Sequence, residues 1–277
     1  MSSLALNIPQ RGPTRSAYHV AVIDILSGLL AFNIWGRLGW RDTKRRYRRT
    51  VLGPIWATVS VALFVLTLGL LWSNLWNRDP KVYLPYLTSG MLCWTLISSV
   101  CTDGSYSYFV NEKLIKQLRI SYTLIACAAV WRNVIVFLHN ISIYVLVCIY
   151  AGVAVTWATL LVVPGFALLC LNAAWIAVLL GAVCARYRDL LQLVSSLLQI
   201  MLFLTPIFWS PDQLTGRTAL LATYNPLYHL IAIVRDPLLG RAPAPLHWVA
   251  VVLITLAGWA LTVHVMGRFR HRIVYWL

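Results

Sequence analysis

WRDTKRRYRRTVLGPIWATVSVALF, residues 40–64, sets two opposite solvents side by side. Arg41, Lys44, Arg45, Arg46, Arg48 and Arg49 put six cations into nine residues, and from Val51 to Trp72 there is no charge at all. A basic cluster pressed against an uncharged run this long is the pattern of a chain entering a bilayer. Composition agrees. Hydrophobic residues make up 60% of the chain and charged residues 11%, too few to cover a water-soluble surface.

Working outward from that stretch, the apolar residues fall in blocks near the ~20 residues that a helix needs to cross a ~30 Å hydrocarbon layer. The blocks give spans at 51–72, 83–101, 122–150, 157–184, 190–209 and 248–267. Backbone polar groups in lipid need internal partners, so the spans are expected as helices, and the alternation of a membrane barrel is absent. The expected fold class is an all-α membrane protein with six transmembrane helices.

Charge fixes the expected orientation. With 37–49 on the cytoplasmic side, the segments 37–49, 112–120, 186–189 and 268–272 hold fifteen Lys and Arg. The other side holds five: Arg78, Lys81, Arg217, Arg235 and Arg241. Positive residues stay inside, which places the C-terminus in the cytoplasm. The net charge of +15 then reflects topology and anionic headgroups, with no nucleic-acid partner implied.

Residues 18–45 form one helix by this reading, and two placements stand. A helix lying on the cytoplasmic leaflet suits the short apolar run, the Asp24 within it and Gly28. A seventh span is the other. Residues 1–17 read as a disordered N-terminus without the pattern of a cleavable signal. Residues 18–277 read as a single transmembrane domain.

Catalytic chemistry is sparse. The eight acidic residues are scattered, and only Asp103 and Glu112 come near each other, which is poor material for an acid–base pair. The histidines lack metal-ligand spacing, so no metal is expected. No phosphate-binding Gly-x-x-x-x-Gly-Lys loop occurs, so ATP is not expected to bind here. The six cysteines lack CxxC spacing. Transport is favoured over catalysis.

Three features carry chemistry. In NEKLIKQLRI, 111–120, Leu114, Ile115 and Leu118 share one helical face, opposite Glu112, Lys113, Lys116 and Gln117. A helix this short needs support, from a partner protein or from the lipid surface. Residues 211–240 hold two short apolar pieces split by Asn225 and Pro226, a cap and a first helical residue. They suit two short helices dipping back into the membrane, the alternative being an amphipathic loop. The third feature is aromatic. Trp72, Trp76, Tyr83 and Tyr86 sit where an interfacial belt belongs. Trp94, Trp131, Trp175, Phe203, Phe208 and Trp209 lie within spans or at their ends, where they pack against helices or stack on sugar rings. Arg132, deep in a span, lines a polar path or snorkels to the inner surface.

Read together, RYRRTVLGPIW (46–56), LIKQLRI (114–120), VWRN (130–133), HN (139–140), RYRDL (186–190), TPIFW (205–209) and NPL (225–227) occur in order before a basic tail. Over residues ~20–277 this resembles the permease subunit of ABC-type polysaccharide exporters, which move lipid-linked O-antigen, capsule, galactan or teichoic acid across the bacterial inner membrane. The resemblance implies a homodimer with an amphipathic interface helix before six spans. It implies two copies of a separate cytoplasmic ABC ATPase that hold ATP and Mg, with no cofactor bound by this chain. Glu112, Lys113, Leu114, Ile115, Lys116, Gln117, Leu118 and Arg119 become an ATPase-coupling helix, although relatives carry a proline after the basic residue where this chain has Ile120 and Ser121. Tyr224, Asn225, Pro226, Tyr228 and His229 fall in a periplasmic gate. The cations at 41–49 become receivers of the pyrophosphate of a polyprenyl-linked polysaccharide, and Trp94, Trp131, Arg132, Trp175, Phe203, Phe208 and Trp209 become glycan-channel candidates. Two other readings remain open: a drug or small-lipid exporter of the same architecture, and a membrane acyl- or glycosyltransferase using Asp103 or the His139–Asn140 pair.

Overall fold

The computed structural model describes residues 17–48, 55–118, 120–213 and 219–277, so Arg49, Arg119, Arg217, the start of the first expected span and nearly all of the expected disordered N-terminus lie outside the described residues. Every described element is helical: α1 (Ala17–Leu30), α2 (Phe32–Tyr47), α3 (Ile55–Leu75), α4 (Pro80–Val110), α5 (Glu112–Gln117), α6 (Tyr122–Ala151), α7 (Val162–Arg186, entered through a 3-10 turn), α8 (Leu190–Leu204), α9 (Ala219–Thr223), α10 (Pro226–Leu238) and α11 (Pro245–Trp276).

Local chemistry sets these boundaries. The Asp79 carboxylate accepts from the Lys81 N–H at 2.9 Å, with Pro80 opening α4. Ser121 caps α6, and Gly152, in the left-handed region at φ 69°, closes it. Five helices are long and apolar enough to cross a membrane: α3, α4, α6, α7 with its leading turn, and α11. The α1–α2 pair passes the same test only as a unit, bent by 64° at Ala31.

The fifth expected span is corrected. Residues 190–209 do not form one helix; α8 ends at Leu204 after 15 residues, about 22 Å at 1.5 Å per residue. Thr205 turns extended at φ −86° and ψ 138° because the ring of Pro206 disfavours a helical residue before it. Conversely, α4 and α11 run to 31 and 32 residues, well beyond the expected 83–101 and 248–267.

Helix α4 is the axis of the molecule. It packs on α6, α7, α3, α10 and α8, and most of its residues from Tyr83 to Val100 are buried. By contrast α3 is little buried, and α8 has no buried residue.

The two ends of the bundle are chemically distinct. At one end α1 is pinned by Asp24, only 3% exposed, whose carboxylate accepts two hydrogen bonds from Arg270 of α11 (3.0 and 2.7 Å) and one from the Ser121 hydroxyl (3.0 Å). Gly28 permits that approach, since a Cβ there would meet Ser121 and Thr123 at 2.6 Å. Arg186 lies over the rings of Tyr187 and Trp276, and Arg188 over Phe109. At the other end Tyr144 donates to the Leu238 carbonyl, and Thr156 to that of Gly240.

Candidate functional site

Two polar cavities are walled by α4 together with α8 or the chain that follows it. The first, about 390 Å³, lies towards the basic end and is lined by Trp94, Ser98, Ser99, Thr102 and Asp103 of α4, Asn133 of α6, Arg46 of α2, and Ser195, Leu198, Gln199 and Leu202 of α8. The spacing of the α8 residues (i, i+3, i+4, i+7) puts them on one helical face. Gln192, Ser196 and Gln199 are exposed on α8, an arrangement that bare lipid would penalise.

A charge network forms one wall of this cavity. Asp103 accepts from Arg132 at 2.8 and 3.3 Å and from the Asn133 amide at 3.0 Å. Arg46 stands 3.8 Å from Asp103, and Asp42 stands 4.0 Å from Arg132. Of the two readings of Arg132, the geometry gives a third: it is paired across helices, fixing α2, α4 and α6 together around the cavity. Asp103 is thereby engaged by cations and amides, while His139 is bonded through Nδ1 to the Ile135 carbonyl of its own helix and Asn140 accepts from Thr58.

The second cavity, about 610 Å³, lies at the opposite end and is bounded by the chain after α8. There residues 205–209, a turn that has left the helix, need hydrogen-bond partners. Tyr83 donates to the Phe208 carbonyl at 2.7 Å, and Tyr86 to those of Pro206 and Trp209 at 3.2 and 3.0 Å. Arg235 of α10 donates through Nη1 to the Pro206 carbonyl at 2.7 Å. The Asn225 amide reaches the Thr205 hydroxyl at 3.0 Å while its carbonyl caps α10 at Leu227. Tyr83, Tyr86 and Arg235 therefore have a role the sequence concealed: as interfacial aromatics and a loop cation they already had a sufficient explanation.

Helix α10 is no surface element. His229 and every residue from Leu230 to Arg235 are buried, and Gly165 of α7 lies so close that a Cβ would sit 2.3 Å from the Ile233 carbonyl oxygen. His229 bonds through Nε2 to the Thr223 carbonyl and through Nδ1 to Nδ1 of His247, both at 2.8 Å. A carbonyl can only accept, so His229 donates to it from Nε2; in the neutral pair its Nδ1 then accepts from the Nδ1–H of His247. Pro226 and Tyr224 flank this cluster, with Tyr224 79% exposed.

The remaining candidates divide. Trp94 reaches the first cavity, while Phe208 is buried against Phe203, and Trp209 donates to the Phe203 carbonyl. Trp131 stacks edge-on with Phe32 and Trp35, and Trp175 donates to Asn172 and lies against Gly258. Both rings thus face neighbouring helices and stay outside the two cavities. Arg41, Lys44, Arg45 and Arg46 are exposed along α2, and Arg48 at its C-terminal cap.

The expected common face of Leu114, Ile115 and Leu118 splits: Ile115 is buried, whereas Leu118 lies past the end of α5, extended and 52% exposed. No proline is needed for this break, because extended Leu118 and the Ser121 cap make it. Glu112 and Lys116 pair at 2.6 Å across one turn, and that hydrogen bond holds the Glu112 carboxyl below the usual carboxylate range.

Comparison with known proteins places these features in a family. The chain resembles two proteins of Klebsiella pneumoniae named O-antigen export system permease protein RfbA. One is 24% identical over 200 residues, covering 71% of this chain and 76% of the relative. The other is 22% identical over 224 residues, covering 80% and 85%. A Myxococcus xanthus protein of the same name is 25% identical over 194 residues, covering 69% and 74%. The family model described as ABC-2 type transporter matches residues 35–239, from within α2 to the end of α10, and on that match the chain belongs to the ABC-2 type transporter family as a membrane subunit.

Proposed function

We propose that this chain is the channel-forming subunit of an ATP-driven exporter of lipid-linked, O-antigen-like polysaccharide. Two copies pair in the bacterial inner membrane with their C-termini in the cytoplasm, each copy served by a cytoplasmic ATPase that holds ATP and Mg. The α1–α2 pair lies at the cytoplasmic surface, α5 receives the push of the ATPase, and α9–α10 form the periplasmic gate. The α2 cations receive the pyrophosphate of the substrate.

The observation that carries this reading is the polar lining shared by α4 and α8. A sugar chain presents hydroxyls to hydrogen-bond and flat apolar ring faces to stack. Ser98, Ser99, Thr102, Asn133, Ser195 and Gln199 with Trp94 answer both needs, whereas a conduit for a drug or small lipid would be lined by aliphatic side chains. The names of the Klebsiella and Myxococcus relatives point to the same class of cargo.

The test is made in cells lacking the chain. Full-length lipid-linked glycan should accumulate on the cytoplasmic face of the inner membrane while surface polymer disappears. Polymer still reaching the surface would favour the small-molecule exporter, and polymer never made would favour a biosynthetic membrane enzyme.

A further inference from the structure

The second cavity carries more charge than holding the 205–209 segment requires. Arg235 lines it and is fully enclosed, its side chain 2% exposed, with the guanidinium 4.4 Å above the Tyr86 ring and 5.6 Å from that of Tyr228. Nη1 is committed to the Pro206 carbonyl, and the buried Nε has no hydrogen-bond partner; Asp236 forms an ion pair with it at 3.7 Å, too long for a hydrogen bond. An unsatisfied buried guanidinium N–H is costly, and the ring stacking holds its plane fixed. Arg78, Lys81 and Arg241, all exposed, line the same cavity, and none forms an ion pair with a carboxylate among the described residues. Two carboxylates, Asp212 and Asp236, face these four cations.

We propose that this cavity binds a phosphate or diphosphate group, the anionic part of the exported molecule as it leaves; the inference rests on the export reading above. Phosphate oxygens match the planar fork of an arginine, and Arg235 lines the cavity with one N–H unpartnered while the three exposed cations attract the anion. The volume, about 610 Å³, admits a diphosphate with adjoining sugar.

The test uses the full chain in nanodiscs, with Arg41, Lys44, Arg45, Arg46, Arg48 and Arg49 replaced by Gln to remove the cations of the proposed entry site. Inorganic pyrophosphate, a short polyprenyl diphosphate and the matching neutral polyprenol are titrated in turn. At least one diphosphate probe should bind saturably, and R78Q/K81Q/R241Q should weaken it by about tenfold or more, since charge-assisted contacts are lost. Arg235→Lys keeps the charge but not the fork and should also weaken binding, with assembly checked by size exclusion. Pyrophosphate binding as tightly as the lipid form means that the anion alone is read; binding of the lipid diphosphate alone means that the headgroup is read in its lipid setting. Absence of saturable binding, equal binding by polyprenol, or binding unchanged in the triple variant overturns the proposal. Should the deletion cells keep their surface polymer while the diphosphate still binds, the export reading falls and the site stands. If polymer export is lost but no diphosphate binds, only the site falls.

Discussion

Asp24 meets the Arg270 guanidinium through two hydrogen bonds while its side chain is 1% exposed, against 21% for its partner. A charge so enclosed is stable only while paired, and removing one member leaves the other without its counter-ion. Asp24→Ala should therefore cost about 3 kcal/mol or more, seen as a large drop in thermal unfolding temperature in a fixed detergent. D24N, which keeps an acceptor for Ser121 and Arg270, should lose less. Equal stability of wild type and D24A would mean that α1 is held by apolar packing alone. The sequence shows Asp24 as a defect in an apolar run, which with the run's shortness and Gly28 argues against a span. Its partner lies 246 residues away, and no local pattern announces such a pairing. Arg235 was hidden for the same reason, its acceptor at Pro206 being 29 residues distant.

Helices were legible where apolar length and capping agree, as at Tyr122–Ala151, and misjudged where a single proline overrules the apolar pattern, as at Thr205 and Pro206. Helix α5 shows how an expected face can divide in function. Ile115 is 8% exposed and packs on its own chain, whereas Leu118, with Lys113 and Gln117, is presented outward. If the ATPase docks here, Leu118→Asp should abolish its co-purification and export while leaving the thermal stability of the permease unchanged. Ile115→Asp should instead lower stability. The reverse pattern would place the partner elsewhere. The Glu112–Lys116 pair does not make this docking pH-sensitive near neutrality. With the carboxyl pKa depressed in the folded chain, its contribution is present above the usual carboxylate range and is lost only as pH falls through the lowered value.

At the scale of the whole molecule, the polar lane between α4 and α8 is open on the side where α8 carries exposed Gln192, Ser196 and Gln199. Polar side chains at membrane depth are tolerated beside water or protein, so in the proposed dimer a second copy would close this flank around an aqueous path. Composition and span counting reached the membrane class without difficulty. They could not find the lane, because its lining comes from four helices, with a single residue each from α2 (Arg46) and α6 (Asn133) and scattered polar and apolar residues from α4 and α8. Water accessibility decides the matter. In a background without native cysteines, Gln199→Cys should react with a membrane-impermeant thiol reagent applied to the assembled exporter. Leu253→Cys, on the exposed apolar flank of α11, should stay unlabelled in the same bilayer. A bifunctional reagent should further join two Q199C chains, since facing copies bring the same residue to both walls. If Gln199→Cys proves as unreactive as L253C, the lane is sealed from water, and a hydrated sugar chain cannot use it.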